Sequence, residues 1–191
     1  MPTLSKWPRR RALRAHRRRL VTARDLDADA DALARGALSL LASLGLGPGA
    51  TVLSYASLPG EPPTAALNRA LAAGGARVLL PDTLEDMDLD WHEAADPRAR
   101  PLGRDAVTGA DLVLAPGLAV DLAGTRMGQG GGCYDRALTR LRAGVPVVVL
   151  LHPGEVVGAD GEPLPREPHD RPVDAVLTAD GYTGLGPGIG R

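Results

Sequence analysis

The densest chemistry in the chain lies past its middle. Residues 124–136 read GTRMGQGGGCYDR, with five glycines in thirteen positions. Without Cβ atoms a backbone can approach a phosphate closely, and N–H groups at a following helix start can point at it. An apolar run precedes the loop, Leu112 to Ala115, and reads as a buried strand. Residues Tyr134 to Arg142 follow, with Leu138 and Leu141 at helical spacing. Arg126 adds a fixed positive charge, and Asp135 adds a carboxylate able to hold Mg²⁺ against phosphate oxygens. The glycines lack the G-x-G-x-x-G spacing of a dinucleotide loop, and no Gly-Lys-Ser/Thr follows as in a Walker loop. A surface loop without a ligand is the plain alternative.

Charge is the second signal. The chain carries 22 Lys/Arg against 23 Asp/Glu. Nine of the bases fall in residues 6–24, which contain no acid, so the remainder has a net charge of −10. A basic stretch on an acidic body points to an anionic ligand or partner at that end. Lys6, Arg10, Arg14 and Arg17 recur at helical spacing and share one face. The same composition also suits a solvated charge run, a targeting peptide or a nucleic-acid-binding arm.

The elements that must position these residues alternate between strand and helix. Ser5 to Arg24 reads as a helix capped by Ser5, and residues 25–44 as a second, with Leu33, Ala37, Leu40, Leu41 and Leu44 as its stripe. Thr51 to Tyr55, Arg77 to Pro81, Leu112 to Ala115, Val145 to Leu151 and Ala175 to Thr178 are expected strands, and Thr64 is expected to cap a helix ending at Ala73. Such alternation predicts a mostly parallel sheet covered on both faces. The loop from Ser57 to Pro63 then lies at a strand's carboxyl end, where open α/β sheets bind ligands, and it carries Glu61. Residues 92–110 are irregular. Residues 181–191, rich in glycine, are expected to be a frayed tail.

Composition excludes several classes. One cysteine, Cys133, allows no internal disulfide and fits a reducing cytoplasm. No apolar run reaches the ~18 residues of a membrane span, and the N-terminus lacks the apolar region of a signal peptide. No Cys-x-x-Cys, His-x-x-x-His or repeat is present, and Cys133 reads as packing rather than as a nucleophile.

Arg126 to Arg136, RMGQGGGCYDR, resembles the R-L-G-x-G-x-G-[FY]-Y-D-R signature of the 5-formyltetrahydrofolate cyclo-ligases, also called methenyltetrahydrofolate synthetases. Three further segments resemble that family in the same order. The basic helix resembles its K-x-x-L-R start, with Lys6 and Arg10 in the matching places and Arg9 where the leucine stands; a rival register, Arg10 to Arg14, keeps Leu13-Arg14 but loses the lysine. Glu61 stands where the family has a folate-contacting glutamate, and Glu167 to Asp170 reads Glu-Pro-His-Asp, as in the family's second metal motif. Two departures stand out: Cys133 replaces an aromatic residue, and the segment after Trp91 is short, with Asp96-Pro97 where the family has Glu-Pro.

The resemblance implies an α/β fold: a single-domain three-layer α/β/α sandwich over residues 1–191 with a mostly parallel central sheet, akin to sugar-phosphate isomerases and coenzyme A transferases. It implies a cytoplasmic enzyme, expected to be a monomer, that uses ATP and Mg²⁺ to turn 5-formyltetrahydrofolate into 5,10-methenyltetrahydrofolate, with neither nucleic acid nor membrane as partner. The implied ATP contacts are Lys6, Arg10, Arg126, Gly128, Gln129, Gly130, Gly131, Gly132 and Tyr134. The implied substrate contacts are Ala56, Glu61, Gln129, Gly130, Gly131 and Gly132; the implied metal ligands are Asp135 and Asp170. The arginines beyond Arg10 are expected to stay solvated, and residues 1–12 to be dispensable for folding. Two alternatives remain open: a nucleotide- or folate-binding paralogue without cyclisation, and a nucleic-acid-binding module built on the arginine helix.

Overall fold

The computed structural model describes residues 6–158, 161–167 and 171–185. Its centre is a seven-stranded sheet. In chain order its strands are β1 (Thr51–Leu53), β2 (Arg77–Thr83), β3 (Leu89–Glu93), β4 (Leu112–Pro116), β7 (Val147–Leu150), β9 (Ala175–Thr178) and β10 (Gly181–Gly184). Their order across the sheet is β10-β9-β7-β4-β1-β2-β3. The five inner strands run parallel, and an antiparallel strand closes each edge. β1 is therefore the switch point: the chain leaves it toward β2 on one side and returns to β4 on the other. A crevice opens at such a point, outside the strand carboxyl ends.

The inner strands are buried on both faces, which is why β7 is an unbroken VVVL run. Alternate residues divide between two cores. Leu112, Leu114, Val148 and Leu150 pack under Leu33, Ala37, Leu40 and Leu41 of α2 (Leu26–Ser43) and Leu67 and Leu71 of α3 (Ala65–Ala73). Val113, Ala115, Val147 and Val149 face the other way, toward Val107, Ala137, Leu138 and Leu141. That second layer comprises α4 (Cys133–Leu138) and a 3₁₀ turn, Arg104–Gly109. A helix layer on each face gives the expected α/β/α order. α2 is capped at its start by Asp25, whose Oδ1 accepts from Asp27 N and Ala28 N.

A second, three-stranded sheet was not foreseen. It has the order β6-β5-β8, from β5 (Ala119–Asp121), β6 (Arg126–Met127) and β8 (Val156–Val157). Helix α1 (Lys6–Thr22) lies against it, with Leu13 packed on Ala119, Met127 and Leu164. Segments of two or three residues carry no readable periodicity, so the glycine loop's opening strand was invisible in the sequence.

Two local expectations change. Gly181–Gly184, expected as tail, pairs antiparallel with β9, because an edge position satisfies the backbone without demanding side chains. Residues 186–191, and Ser5 as the α1 cap, lie outside the described residues. Thr64 stands at the α3 cap position but makes no side-chain bond to that helix; its hydroxyl donates to Tyr55 O at 2.7 Å and accepts from Ser57 N at 3.0 Å. It fastens the loop after β1 instead.

Candidate functional site

A cavity of about 760 Å³ opens at the switch point. Tyr55 and Ala56 after β1, and Pro116 and Gly117 at the end of β4, form its floor. Glycine-loop residues 128–132 form one wall, α1 contributes Lys6, Trp7 and Arg10, and the loop after β1 brings Leu58 and Glu61. Each residue anticipated for ATP or substrate lines this cavity, and so does Asp135. Asp170 and His169 lie outside the described residues.

The glycine loop owes its course to its residue types. Gly130 and Gly132 have φ of +115° and +70°, where a side chain is strained. A Cβ on Gly130 would also stand 3.4 Å from the Arg10 guanidinium. Arg10 Nε donates to Gly128 O at 3.2 Å, and Arg14 donates to Gln129 Oε1 at 3.0 Å and to Gln129 O at 2.7 Å. Two arginines of α1 thus grip a loop more than a hundred residues away. α4 is only six residues long, so it offers less helix dipole than a run to Arg142 promised. The positive potential here comes mainly from side chains.

Arg126 and Asp135 meet each other. Arg126 Nη2 donates to Asp135 Oδ1, and Nη1 donates to Pro116 O at 3.2 Å. The Arg126 side chain is 5% exposed and that of Asp135 32%. The Arg126 guanidinium carbon stands 5.8 Å from the centroid of the Tyr134 ring, within cation–π range. Tyr134 packs edge-on to Trp91 with centroids 6.4 Å apart, and Trp91 is fully buried. Lys6 pairs with Glu167 at 3.2 Å, which joins the first helix to the segment before Asp170.

Six buried side-chain donors have no protein partner among the described residues: the Tyr55 and Tyr134 hydroxyls, Arg126 Nε, the Trp91 indole nitrogen, Arg9 Nε and Arg17 Nη1. Three of those six residues, Tyr55, Arg126 and Tyr134, line the cavity. Buried polar groups normally have partners, so orphaned donors beside a cavity mark where a ligand's acceptors belong. Burial raises the pKa of both tyrosines, well above the phenolic range for Tyr55, so both stay protonated donors. Among the described residues no group of three or more His, Cys, Asp or Glu gathers as for a metal ion.

Sequence reasoning missed Tyr55, and it missed the contacts of Arg14 with Gln129 and of Glu167 with Lys6. Tyr55 had one usable signal, its place at a strand's carboxyl end. Asp96 turns out to be a turn residue, because its carboxylate accepts from Arg98 N, Arg100 N and Arg100 Nε and is not at the cavity. Arg17, expected in solvent, is 5% exposed and donates to both oxygens of Glu155, at 2.6 and 2.7 Å, and to Gly117 O at 2.5 Å. The basic helix is fixed into the body there by the Arg17 Nε and Nη2 bonds, while Arg17 Nη1 is buried without a partner among the described residues.

Known proteins resemble this chain in sequence and in fold. The model of the 5-formyltetrahydrofolate cyclo-ligase family matches residues 2–179. A 5-formyltetrahydrofolate cyclo-ligase of Mycolicibacterium smegmatis is 34% identical over 147 residues, covering 68% of this chain and 74% of its own. The solved 5,10-methenyltetrahydrofolate synthetase of Mycoplasma pneumoniae matches with a TM-score of 0.71 at 17% identity, over 92% of this chain and 99% of that one. The Aquifex aeolicus 5,10-methenyltetrahydrofolate synthetase gives 0.69 at 21% identity, over 98% and 96%. At those identities the two structures show a shared fold. The sequence match shows more, and on it the chain belongs to the 5-formyltetrahydrofolate cyclo-ligase family, a family of ligase enzymes.

Proposed function

We propose that this protein closes the ring of 5-formyltetrahydrofolate in an ATP- and Mg²⁺-dependent reaction, giving 5,10-methenyltetrahydrofolate, ADP and phosphate. The observation that carries the reading is one cavity lined both by Lys6, Arg10, Arg126 and glycine backbone and by Glu61 and the buried Tyr55. A triphosphate suits the first set of residues and a pterin the second.

The formyl oxygen attacks the γ-phosphorus and ADP leaves. N10 of the folate then adds to the activated carbon and loses its proton, and phosphate leaves with the former formyl oxygen. A formyl oxygen is a weak nucleophile and oxide a poor leaving group, so phosphorylation is what makes the carbon electrophilic. The protein needs only to align two substrates and neutralise charge, and no protein nucleophile takes part.

Lys6, Arg10 and Arg126 hold phosphate oxygens, with Gly128 to Gly132 offering backbone N–H groups, Tyr134 beside the nucleotide, and Gln129 to Gly132 bordering both substrates. Glu61 orients the pterin, and the Tyr55 hydroxyl adds a donor beside Ala56. Asp135 fits a Mg²⁺ ligand: it lines the cavity, its side chain is partly open, and Mg²⁺ commonly takes one or two carboxylates beside phosphates and waters. Bound there, Mg²⁺ would neutralise the triphosphate; Asp170 is its second proposed ligand. The whole chain serves as one catalytic domain, and a cavity lined by one chain supports a site complete in a monomer. A free cysteine supports a cytoplasmic setting, and no helix among the described residues is long and apolar enough to cross a membrane.

The inward bonds of Arg10, Arg14 and Arg17 favour this reading over nucleic-acid binding. Melting curves with ATP test it. A ligand that binds only the folded state at a hundred times its Kd adds about 2.7 kcal/mol. ATP with Mg²⁺ is expected to raise Tm, and chelation to remove most of the rise. No shift at millimolar ATP would count against the assignment.

A further inference from the structure

The turn that carries Glu61 is bonded mainly to itself. Leu58 N donates to Glu61 Oε2 and Glu61 N donates to Leu58 O, each at 3.0 Å. Ser57 N donates to Thr64 Oγ1 at 3.0 Å, and Thr64 N to Ser57 Oγ at 3.3 Å. Among the described residues, one hydrogen bond leaves residues 57–63 for a distant part of the chain. It joins Gly60 O to His152 Nε2 at 3.2 Å. A carbonyl oxygen only accepts, so Nε2 carries the proton and donates.

His152 is 1% exposed and follows β7. Its backbone and its ring have further polar neighbours. Its backbone N donates to Glu155 Oε2 at 2.8 Å, and that carboxylate is the one gripped by Arg17. Its Nδ1 stands 3.9 Å from Asp29 Oδ2, and Arg24 binds both Asp29 oxygens, at 2.6 and 2.7 Å. This buried imidazole is the one distant hydrogen-bonding support that the Gly60 carbonyl has among the described residues. Contacts to a substrate lose their value when their support loosens by fractions of an ångström.

We propose that His152 is a positioning residue for folate recognition: its Nε2–H holds the Gly60 carbonyl and thereby sets the Glu61 turn over the cavity. The inference rests on the reading of Glu61 as the pterin contact. It assigns a role in substrate binding to a side chain that does not line the cavity. The nucleotide wall, built from α1 and the glycine loop, does not depend on this bond.

The test compares His152→Gln, whose amide can still donate to Gly60 O, with His152→Leu and His152→Asn, which fill the space without reaching it. One neutral hydrogen bond contributes about 0.5–1.5 kcal/mol, or roughly threefold to tenfold. The Leu and Asn variants should raise the KM for 5-formyltetrahydrofolate by about that factor, with the KM for ATP nearly unchanged. Gln should restore most of it. Hydrogen exchange at Leu58 and Glu61 should speed up in Leu and Asn and return in Gln. Two variants without the donor keep the comparison available should one fail to fold. Equal folate KM in all variants, parallel changes for both substrates, or exchange at the turn that ignores position 152 would overturn the proposal. A wild-type protein that does not turn over the folate would overturn the cyclo-ligase reading instead, and the exchange comparison would still decide whether His152 holds the turn.

Discussion

Arg10 and Arg17 lie seven residues apart on one face of α1, and they end in opposite situations. Arg17 is buried, with both Glu155 oxygens and Gly117 O as its acceptors. Arg10 is half-buried at the cavity and makes one described bond, from Nε to Gly128 O. One end of the helix is committed to the body; the other presents guanidinium N–H groups to an open space. The same residue at the same periodicity does structural work at one end and waits for an anion at the other. The difference lies in what the rest of the chain brings: a buried carboxylate to Arg17, a glycine loop to Arg10.

The largest expected effect breaks the committed end. Arg17→Ala leaves Glu155 buried without its partner, a loss of about 3–5 kcal/mol. Urea denaturation should show it, while Arg10→Ala should leave stability nearly unchanged. Deleting residues 1–12 spares Arg17 and should leave a folded protein; extending the deletion past Arg17 should not. Equal stability of the Arg10 and Arg17 variants would dissolve the contrast.

Next comes the open end. Asp135→Asn and Arg10→Ala should each cost about 1.5–3 kcal/mol of charge-assisted contact, or roughly tenfold to a hundredfold in the kinetics they touch. For Arg10→Ala the loss should fall on the KM for ATP. For Asp135→Asn it should fall on turnover and grow as Mg²⁺ is lowered; turnover independent of Mg²⁺ in that variant would confine Asp135 to its pairing with Arg126.

These contrasts were only partly legible in the sequence. The glycine loop was, because Arg126, the glycines, Tyr134 and Asp135 are close in sequence and carry their chemistry in their types. The parallel strands were, because β4 and β7 are apolar runs of ordinary length. The pairing of Arg17 with Glu155, of Arg14 with Gln129 and of Lys6 with Glu167 was not, because each spans more than a hundred residues and no local pattern says which partner a side chain will meet. Tyr55 read as a strand residue, since the orphaned state of a hydroxyl depends on the assembled cavity.

A smaller effect sharpens the division between the two walls. Glu61→Gln should weaken folate binding about threefold to tenfold, the scale of one hydrogen bond, and spare ATP binding. Calorimetry showing folate affinity untouched would move the pterin away from that turn.

The smallest effect is a pH dependence. Burial first, then the Arg17 charge, lowers the pKa of His152, against Glu155, the Gly60 bond and Asp29, which raise it. The unfolded chain therefore takes up a proton before the folded one does. Stability should be full above pH ~6.5 and decline as pH falls below it, until the folded protein protonates too. His152→Gln should flatten that stretch of the stability curve, and an unchanged slope would mean that other groups set it.

One measurement bears most directly on the central claim that a cation-and-glycine wall and a Glu61 wall close one cyclo-ligase site. It follows the absorbance of methenyltetrahydrofolate while 5-formyltetrahydrofolate is incubated with the protein, with ATP and Mg²⁺ together and with each omitted. The expected result is product only when both are present, with ADP and phosphate released in equal amounts. Folded protein that binds both substrates and yields no methenyl product, or yields it without ATP, would contradict the account.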